Sequence, residues 1–199
     1  FRFKNEQNKY LVAATLRPET LFGLTNLWIN PKEDYVNLKV GNEEWIVSKA
    51  AAEKLKYQKL TINAIEKVDV DDLIDKEVIA PITNKKVQVL PASFVDGSVG
   101  TGIVYSVPAS APFDFLGLRD LQRAGLYKSI RSVPIIKMDG YSDMPAKELS
   151  ERNDIQEQTE LESINNITKE IYAAEFHKGI MNKNCMDFEG MKVSEAKPI

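Results

Sequence analysis

Strand-like and helix-like segments are mixed along this chain without the regular strand–helix alternation of a doubly wound parallel sheet. Residues 9–16, 43–48 and 102–107 are short, apolar and partly β-branched, and each predicts a strand. Residues 111–125 and 159–179 space their apolar side chains as a helix does. This order favours an α+β fold or a closed-barrel core, with the helices outside it.

Proline and glycine mark the ends of several of these segments. Pro18 suits the first turn of a short helix, and Gly23 suits its end. Gly179 ends the longest helical pattern in the same way. The further predicted strands are residues 26–31, 84–93 and 133–141, and the further predicted helices are residues 49–58 and 144–153.

Composition excludes several classes of protein. The 199 residues suffice for one sizeable domain or two small ones, and the net charge of −3 offers no general basic surface for nucleic acid. The single cysteine, Cys185, excludes an internal disulfide, and with a single histidine it excludes a zinc site built from cysteines and histidines. No apolar run is long enough to span a membrane. The chain begins without Met, which suggests a domain excised from a longer protein.

The stretch "ATLRPETLFG", residues 13–22, is the first candidate for chemistry. Arg17 and Pro18 break a strand, and Glu19 suits the first turn of a helix. The free amides at such a helix start can bind an anion, which is only a weak functional indication. On local grounds a plain strand-to-helix turn is the better interpretation.

The glycine-rich stretch "GSVGTGIVYSVPASAPFD" is the second candidate. Gly97, Gly100 and Gly102 permit tight turns and a close backbone approach to a ligand, but their spacing fits neither a dinucleotide fingerprint nor a P-loop. Asp114 follows near a helix start, where an acid commonly complements the helix dipole. A nucleophile site is not indicated, because the chain lacks a Gly-x-Ser-x-Gly elbow and its only histidine, His177, lies late in a helix.

Together, "LVAATLRPETLFGLTNLWINP" and the later "GTGIVYSVPASAPFDFLGLRDLQ" resemble the editing domain of leucyl-tRNA synthetase, in its archaeal and eukaryotic cytosolic form. The resemblance extends over essentially the whole chain, including "EFHKGIM" and "FEGMKV". It implies a single editing domain over residues 1–199, excised from a larger class I aminoacyl-tRNA synthetase. The implied fold is α+β, with a twisted β-barrel core surrounded by helices.

The resemblance also implies an activity, the hydrolysis of the aminoacyl ester in tRNA(Leu) mischarged with isoleucine, norvaline or methionine. Thr20 matches the family threonine that blocks the leucine side chain, and Asp114 matches the aspartate that takes the α-ammonium. Thr15 is a candidate for orienting the water or the ester oxygen. The residues implied in substrate binding are Leu16, Arg17, Gly100, Thr101, Tyr105, Val107 and Ser110.

The sequence departs from the family pattern in two places. Leu16 stands where bacterial members carry a second threonine, and Ser110 with Ala111 stands where many members have His-Asp. A supporting acid near Asp114 is therefore missing. The role of Arg17 also has two alternatives, since it could contact the tRNA end or brace the turn through Glu19.

The implied partners are the 3′-terminal adenosine of mischarged tRNA(Leu) and the remainder of the synthetase chain, in the cytoplasm and without a membrane. No metal or cofactor is expected in this domain, because ATP and Mg²⁺ would serve the synthetic site of the parent enzyme. Two alternatives remain open. One is an editing domain of the valyl or isoleucyl type, or a free-standing hydrolase of the same fold. The other is a non-catalytic module that docks tRNA or a protein.

Overall fold

The computed structural model describes residues 1–197, which divide into two compact units. The first unit comprises Phe1–Leu16 and Asn26–Tyr105, and the second comprises Arg17–Thr25 and the chain from Ser106 onward. The prediction of one domain over residues 1–199 includes two residues that lie outside the described part, and it stays a prediction.

A nine-stranded sheet forms the framework of the first unit. Its strands are β1 (Arg2–Asn5), β2 (Tyr10–Val12), β3 (Asn26–Ile29), β4 (Tyr35–Val40), β5 (Glu43–Ser48), β6 (Ile62–Val68), β7 (Glu77–Ile79), β8 (Lys86–Pro91) and β9 (Val104–Tyr105). Their order across the sheet is β6-β4-β5-β2-β1-β7-β8-β3-β9. Neighbours are antiparallel except for two parallel pairs, β2 with β5 and β3 with β8, so the sheet is mixed.

The predicted barrel is not confirmed for residues 1–197, because this sheet is open, with β6 and β9 at its two edges. β9 has only two residues, and it already pairs with β3 through Leu27–Tyr105 and Trp28–Val104. So short a strand has few N–H and C=O groups left for a second ladder. The α+β class itself is confirmed.

A short helix, α1 (Lys49–Leu55), covers part of the sheet. It begins directly after β5 because the Ser48 hydroxyl accepts the backbone N–H of Ala51 at 3.0 Å, which is N-capping. Its apolar face packs on β4 and β5 in a cluster formed by Val36, Leu38, Val47, Ala51 and Ala52.

Helices dominate the second unit. After a 3-10 helix at Pro18–Gly23, it contains α2 (Pro112–Arg123), α3 (Pro145–Arg152), α4 (Leu161–Lys178) and α5 (Val193–Ala196), with a small antiparallel pair, β10 (Ile136–Lys137) and β11 (Ile180–Met181). The core between α2, α3 and α4 consists of Leu116, Ala146, Leu149, Ile155, Ile164, Ile167 and Ile171. Burying these side chains is the main source of the stability of this unit.

The helix predictions hold better than the strand predictions. The predicted end of the long helix at Gly179 is confirmed. Among the strands, the one predicted over residues 43–48 is confirmed. The predicted strands over residues 9–16 and 102–107 shrink to three and two residues. Within residues 1–197, no helix combines the length and apolar character that crossing a membrane would need.

Candidate functional site

In the first unit the structure brings together Thr15 and Tyr105, two residues that the sequence predicts for the site. The Tyr105 hydroxyl donates to Oγ1 of Thr15 at 3.2 Å. Tyr105 lies on β9, and its ring meets Phe1 edge-on at 5.7 Å between centroids. The contact holds the Thr15 hydroxyl at the point where the chain has left β2.

Hydrogen bonds from two residues hold the glycine-rich turn to the same unit. Tyr35 donates from its hydroxyl to the carbonyl of Gly102 at 2.8 Å, and the backbone N–H of Ser48 donates to the carbonyl of Thr101 at 2.8 Å. Burial raises the pKa of Tyr35 to about 12, so its hydroxyl stays protonated and able to donate. The turn is therefore fixed, with Thr101 buried and Gly100 exposed.

Gly102 could not carry a side chain in this turn. Its φ is +70°, and a Cβ atom there would lie 2.4 Å from Cβ of Ser48. Gly100 also has a positive φ of +57°, but its nearest neighbour would be 3.5 Å away. The predicted need for glycine thus has a steric reason at Gly102 and a conformational one at Gly100.

In the second unit, Thr20 is held by the backbone of Arg17. The carbonyl of Arg17 accepts both the N–H of Thr20 at 3.1 Å and its Oγ1–H at 2.7 Å. Pro18 starts the 3-10 helix between them, as predicted for this position. Thr20 is 1% exposed, whereas Leu16 is 86% exposed.

Asp114 lies in the first turn of α2 and is 4% exposed. Its Oδ2 accepts the backbone N–H of Val107 at 2.7 Å. The carbonyl of Val107 in turn accepts the N–H groups of Ser110 and Ala111, both at 3.0 Å. The chain between Val107 and the helix start is thus a tight turn, which fixes the orientation of the Asp114 carboxylate.

A buried ion cluster surrounds the Arg17 side chain. Nε of Arg17 lies 3.0 Å from Oε1 of Glu19, and Nη1 lies 2.6 Å from Oε2 of Glu175. The Arg17 Cζ lies 4.4 Å from the centroid of the Tyr172 ring, a cation–π distance. Both carboxylate side chains are 1% exposed. In this structure Arg17 therefore braces its own turn and joins it to α4.

The pKa values in this cluster shift for two opposing reasons. Burial acts to lower the pKa of Arg17, but the Glu175 carboxylate, with Tyr172 and Glu19, raises it above the usual arginine value. Burial raises the pKa of Glu175, although the Arg17 guanidinium acts against that shift. Ser110, which the resemblance implies in substrate binding, is buried in the same unit.

Sequence reasoning missed Glu175 and Tyr172, although the long helix carried a signal. The buried positions of α4 are Ile164, Ile167, Ile171 and Glu175, so a carboxylate takes the next place on an apolar stripe. A charged residue at such a position needs a buried partner.

The predicted residues thus fall into one set in each unit. The first unit holds Thr15, Leu16, Gly100, Thr101 and Tyr105, and the second holds Arg17, Thr20, Val107, Ser110 and Asp114. His177 is exposed in the last turn of α4, as the sequence suggested. Among the described residues, no group of three or more His, Cys, Asp or Glu side chains could hold a metal ion.

Comparison with known proteins identifies a family. Residues 1–198 match the family model described as leucyl-tRNA synthetase, editing domain. The leucine–tRNA ligase of Methanocaldococcus jannaschii is 45% identical, with 98% of this chain and 22% of that protein aligned. The corresponding ligase of Methanothermobacter thermautotrophicus is 44% identical, with 96% and 22% aligned. The chain spans about a fifth of the length of these relatives.

Solved structures agree with these matches. The crystal structure of GlLeuRS-CP1 is similar with a TM-score of 0.84 and 30% identity, over 95% of this chain and 74% of that one. The editing domain of the Plasmodium falciparum cytosolic leucyl-tRNA synthetase has a TM-score of 0.80, over 95% of this chain and 73% of that one. At 20% identity, this second likeness supports the fold alone.

Proposed function

Because the chain belongs to the family of leucyl-tRNA synthetase editing domains, we propose that it hydrolyses the aminoacyl ester of mischarged tRNA(Leu) as one domain of a leucine–tRNA ligase. The observation that carries the proposal is the match of the family model over residues 1–198. The buried carboxylate of Asp114 and the fixed side chain of Thr20 supply groups that such chemistry requires.

The physical problem is to destroy wrong products and spare the right one. A synthetic site that selects by shape gains only about 1–3 kcal/mol per methylene, so isoleucine and norvaline are incompletely rejected. A second site must then reject leucine by a clash. The Thr20 methyl suits this role, because the Oγ1–H bond to the carbonyl of Arg17 holds χ1 and therefore the direction of the methyl group.

Asp114 is suited to the group that every substrate shares, the α-ammonium. A charge-assisted hydrogen bond to a carboxylate contributes about 1.5–3 kcal/mol. Because Asp114 is fixed by its bond to Val107, it would hold the ester in one orientation for attack by water. No side-chain nucleophile is required in this mechanism, in which positioning supplies the rate enhancement.

The Thr15 hydroxyl and the glycine-rich turn are assigned to the tRNA end. The Tyr105 hydroxyl orients Thr15, which can then hydrogen-bond to the water or to an ester oxygen. The exposed backbone at Gly100 gives a terminal adenosine access to main-chain groups. A single-stranded 3′ end presents its base edges and its free ribose hydroxyl for such recognition. The domain needs no cofactor in this scheme, and ATP and Mg²⁺ belong to the synthetic site of the cytoplasmic parent enzyme.

The test is a deacylation assay with the leucine–tRNA ligase that contains this domain. We expect hydrolysis of Ile-tRNA(Leu) and norvalyl-tRNA(Leu) but not of Leu-tRNA(Leu). Preferential hydrolysis of Thr-tRNA(Val) would instead assign the domain to the valyl type. Binding of tRNA without any hydrolysis would make it a docking module.

The isolated chain provides a second comparison. Its net charge of −3 predicts weak binding of tRNA on its own, because phosphate contacts would come from the remainder of the enzyme. We therefore expect weak hydrolysis by the isolated chain and strong hydrolysis by the full ligase. Equal rates of hydrolysis by the isolated chain and the full ligase would contradict the prediction that the remainder of the enzyme supplies the phosphate contacts.

A further inference from the structure

A buried carboxylate interrupts the apolar stripe of α4. Ile164, Ile167 and Ile171 are buried at helical spacing, and Glu175 takes the next buried position with a side chain that is 1% exposed. A carboxylate is costly to bury unless it is paired and hydrogen-bonded. Packing alone would be served better by a hydrophobic side chain at this position. The reason for Glu175 must therefore lie in its partners.

The charged partner of Glu175 belongs to the segment that carries Thr20. Nη1 of Arg17 lies 2.6 Å from Oε2 of Glu175. Tyr172, on the same face of α4, covers the guanidinium at 4.4 Å. Glu175 thus joins α4 to the threonine-bearing turn.

The anchored arginine determines where Thr20 can lie. The Arg17 side chain is held at Nη1 by Glu175 and at Nε by Glu19. The backbone of Arg17 therefore has little freedom to move. The carbonyl of Arg17 accepts both the N–H and the hydroxyl of Thr20. Any movement of that carbonyl would turn the Thr20 side chain with it.

We propose that Glu175 and Tyr172 are positioning residues for Thr20, and that they thereby set the exclusion of leucine from the editing site. This inference rests on the proposed function. Neither residue touches the substrate in this scheme. They act through Arg17, whose carbonyl fixes the Thr20 hydroxyl and so the direction of its methyl group. Four residues then determine the exclusion of leucine. Glu175 and Tyr172 on α4 hold Arg17, and Arg17 holds Thr20.

A selectivity ratio separates this role from a merely structural one. Partial unfolding lowers the rates for all substrates equally, because it reduces the fraction of active enzyme. A displaced Thr20 methyl raises the rate for leucine alone. The quantity to measure is therefore the single-turnover rate constant for Ile-tRNA(Leu) divided by that for Leu-tRNA(Leu), in the full leucine–tRNA ligase that contains this domain.

Three variants perturb the network to different degrees. Glu175→Gln keeps the shape and removes the charge, Glu175→Leu removes every polar partner, and Tyr172→Leu removes the aromatic face. We expect the ratio to fall about tenfold in Glu175→Leu, within the range of discrimination that one methyl group can supply, and by less in the other two. If Glu175→Leu fails to fold, the other two decide.

Two controls complete the design. Glu170→Gln makes the same chemical change on an exposed position of the same helix, and Ile167→Val weakens the core without touching the network. Both should keep the wild-type ratio. An unchanged ratio in every folded Glu175 and Tyr172 variant, with a changed ratio in Thr20→Ser, overturns the inference and leaves the proposed function intact. A wild-type ligase that hydrolyses no mischarged tRNA(Leu) overturns both.

Discussion

One carboxylate oxygen of Asp114 accepts the backbone N–H of Val107 at 2.7 Å, so the predicted ammonium-binding group is fixed by the strand-to-helix turn that precedes it. A carboxylate held in this way meets its ligand without first having to order itself. Asp114 thus has two functions, which are to accept the N–H of Val107 and to supply a negative charge for the ammonium. The amide of an asparagine could accept the N–H but could not supply the charge.

Asp114→Asn should therefore lower editing and leave the fold almost unchanged. The loss of the charge should reduce kcat/KM for Ile-tRNA(Leu) by roughly 10- to 150-fold, which corresponds to about 1.5–3 kcal/mol. Asp114→Ala should lose editing too, and should also destabilise the domain by about 1–3 kcal/mol because the N–H of Val107 is left without this acceptor. Deacylation kinetics and urea denaturation measure the two effects. Full editing by Asp114→Asn would refute the assignment.

Thr20 offers a test in which methyl and hydroxyl are removed separately. Thr20→Ser keeps the hydroxyl bond to Arg17 and loses the methyl, so the ligase should begin to hydrolyse correctly charged Leu-tRNA(Leu). Thr20→Val keeps a methyl in that place and should continue to spare leucine. Rates of Leu-tRNA(Leu) deacylation distinguish the pair. The opposite pattern would show that the hydroxyl, and not the methyl, excludes leucine.

Arg17→Met should destabilise the chain in a pH-dependent manner. Removing one partner of a buried ion pair costs about 3–5 kcal/mol near pH 7, since Glu19 and Glu175 lose their shared cation. Burial already raises the pKa of Glu175, and without Arg17 this pKa should rise further. A group with a raised folded-state pKa contributes stability that is present below its unfolded pKa and is lost as the pH rises through the folded pKa. The destabilisation should therefore be smaller near pH 5.

Urea denaturation at pH 5 and pH 7.5 measures this difference. Arg152→Met is the matched control, because Arg152 pairs with Glu148 and Glu170 at the surface, at 3.9 Å and 3.4 Å. Exposed pairs of this kind contribute only about 0–1 kcal/mol. Equal losses in the two variants, or a loss that grows towards pH 5, would contradict the proposed burial of the cluster.

Gly102→Ala should test the steric argument for the glycine-rich turn. The new Cβ would lie 2.4 Å from Cβ of Ser48, in a backbone conformation with φ of +70°. Gly41→Ala, with φ of +59° and no atom within 4 Å of the new Cβ, carries only the conformational cost, about 1–2 kcal/mol. Thermal unfolding should show an additional loss of about 1–3 kcal/mol for Gly102→Ala. Equal melting temperatures in the two variants would show that the contact with Ser48 does not destabilise Gly102→Ala.

Helix positions in this chain are predictable because their signals are local. Pro18 and Ser48 mark helix starts through backbone geometry that depends on a few neighbours. Strands β4 and β6 escaped prediction for a different reason. β6 lies at the edge of the sheet with most of its residues exposed, and the first four residues of β4, including Asn37, are all buried, so neither alternates clearly.

Sheet order and the ion cluster depend on pairings between distant segments. Two of the ladders are parallel and join strands that are far apart in sequence, so no turn between neighbours sets their register. The same applies to Arg17 and Glu175, which come from opposite ends of the chain. The resemblance supplied Asp114 and Thr20 as candidates, but the partners that fix Thr20 became visible only in three dimensions.

The interleaving of the two units has a consequence for synthesis on the ribosome. All segments of the first unit have been made once Tyr105 is translated, whereas the segment Arg17–Thr25 belongs to the second unit. Domains generally fold as their sequence emerges, in the direction of synthesis. The nascent threonine segment must therefore wait for α4 to supply Glu175, so that the ability to tell leucine from isoleucine would be among the last properties the growing polypeptide acquires.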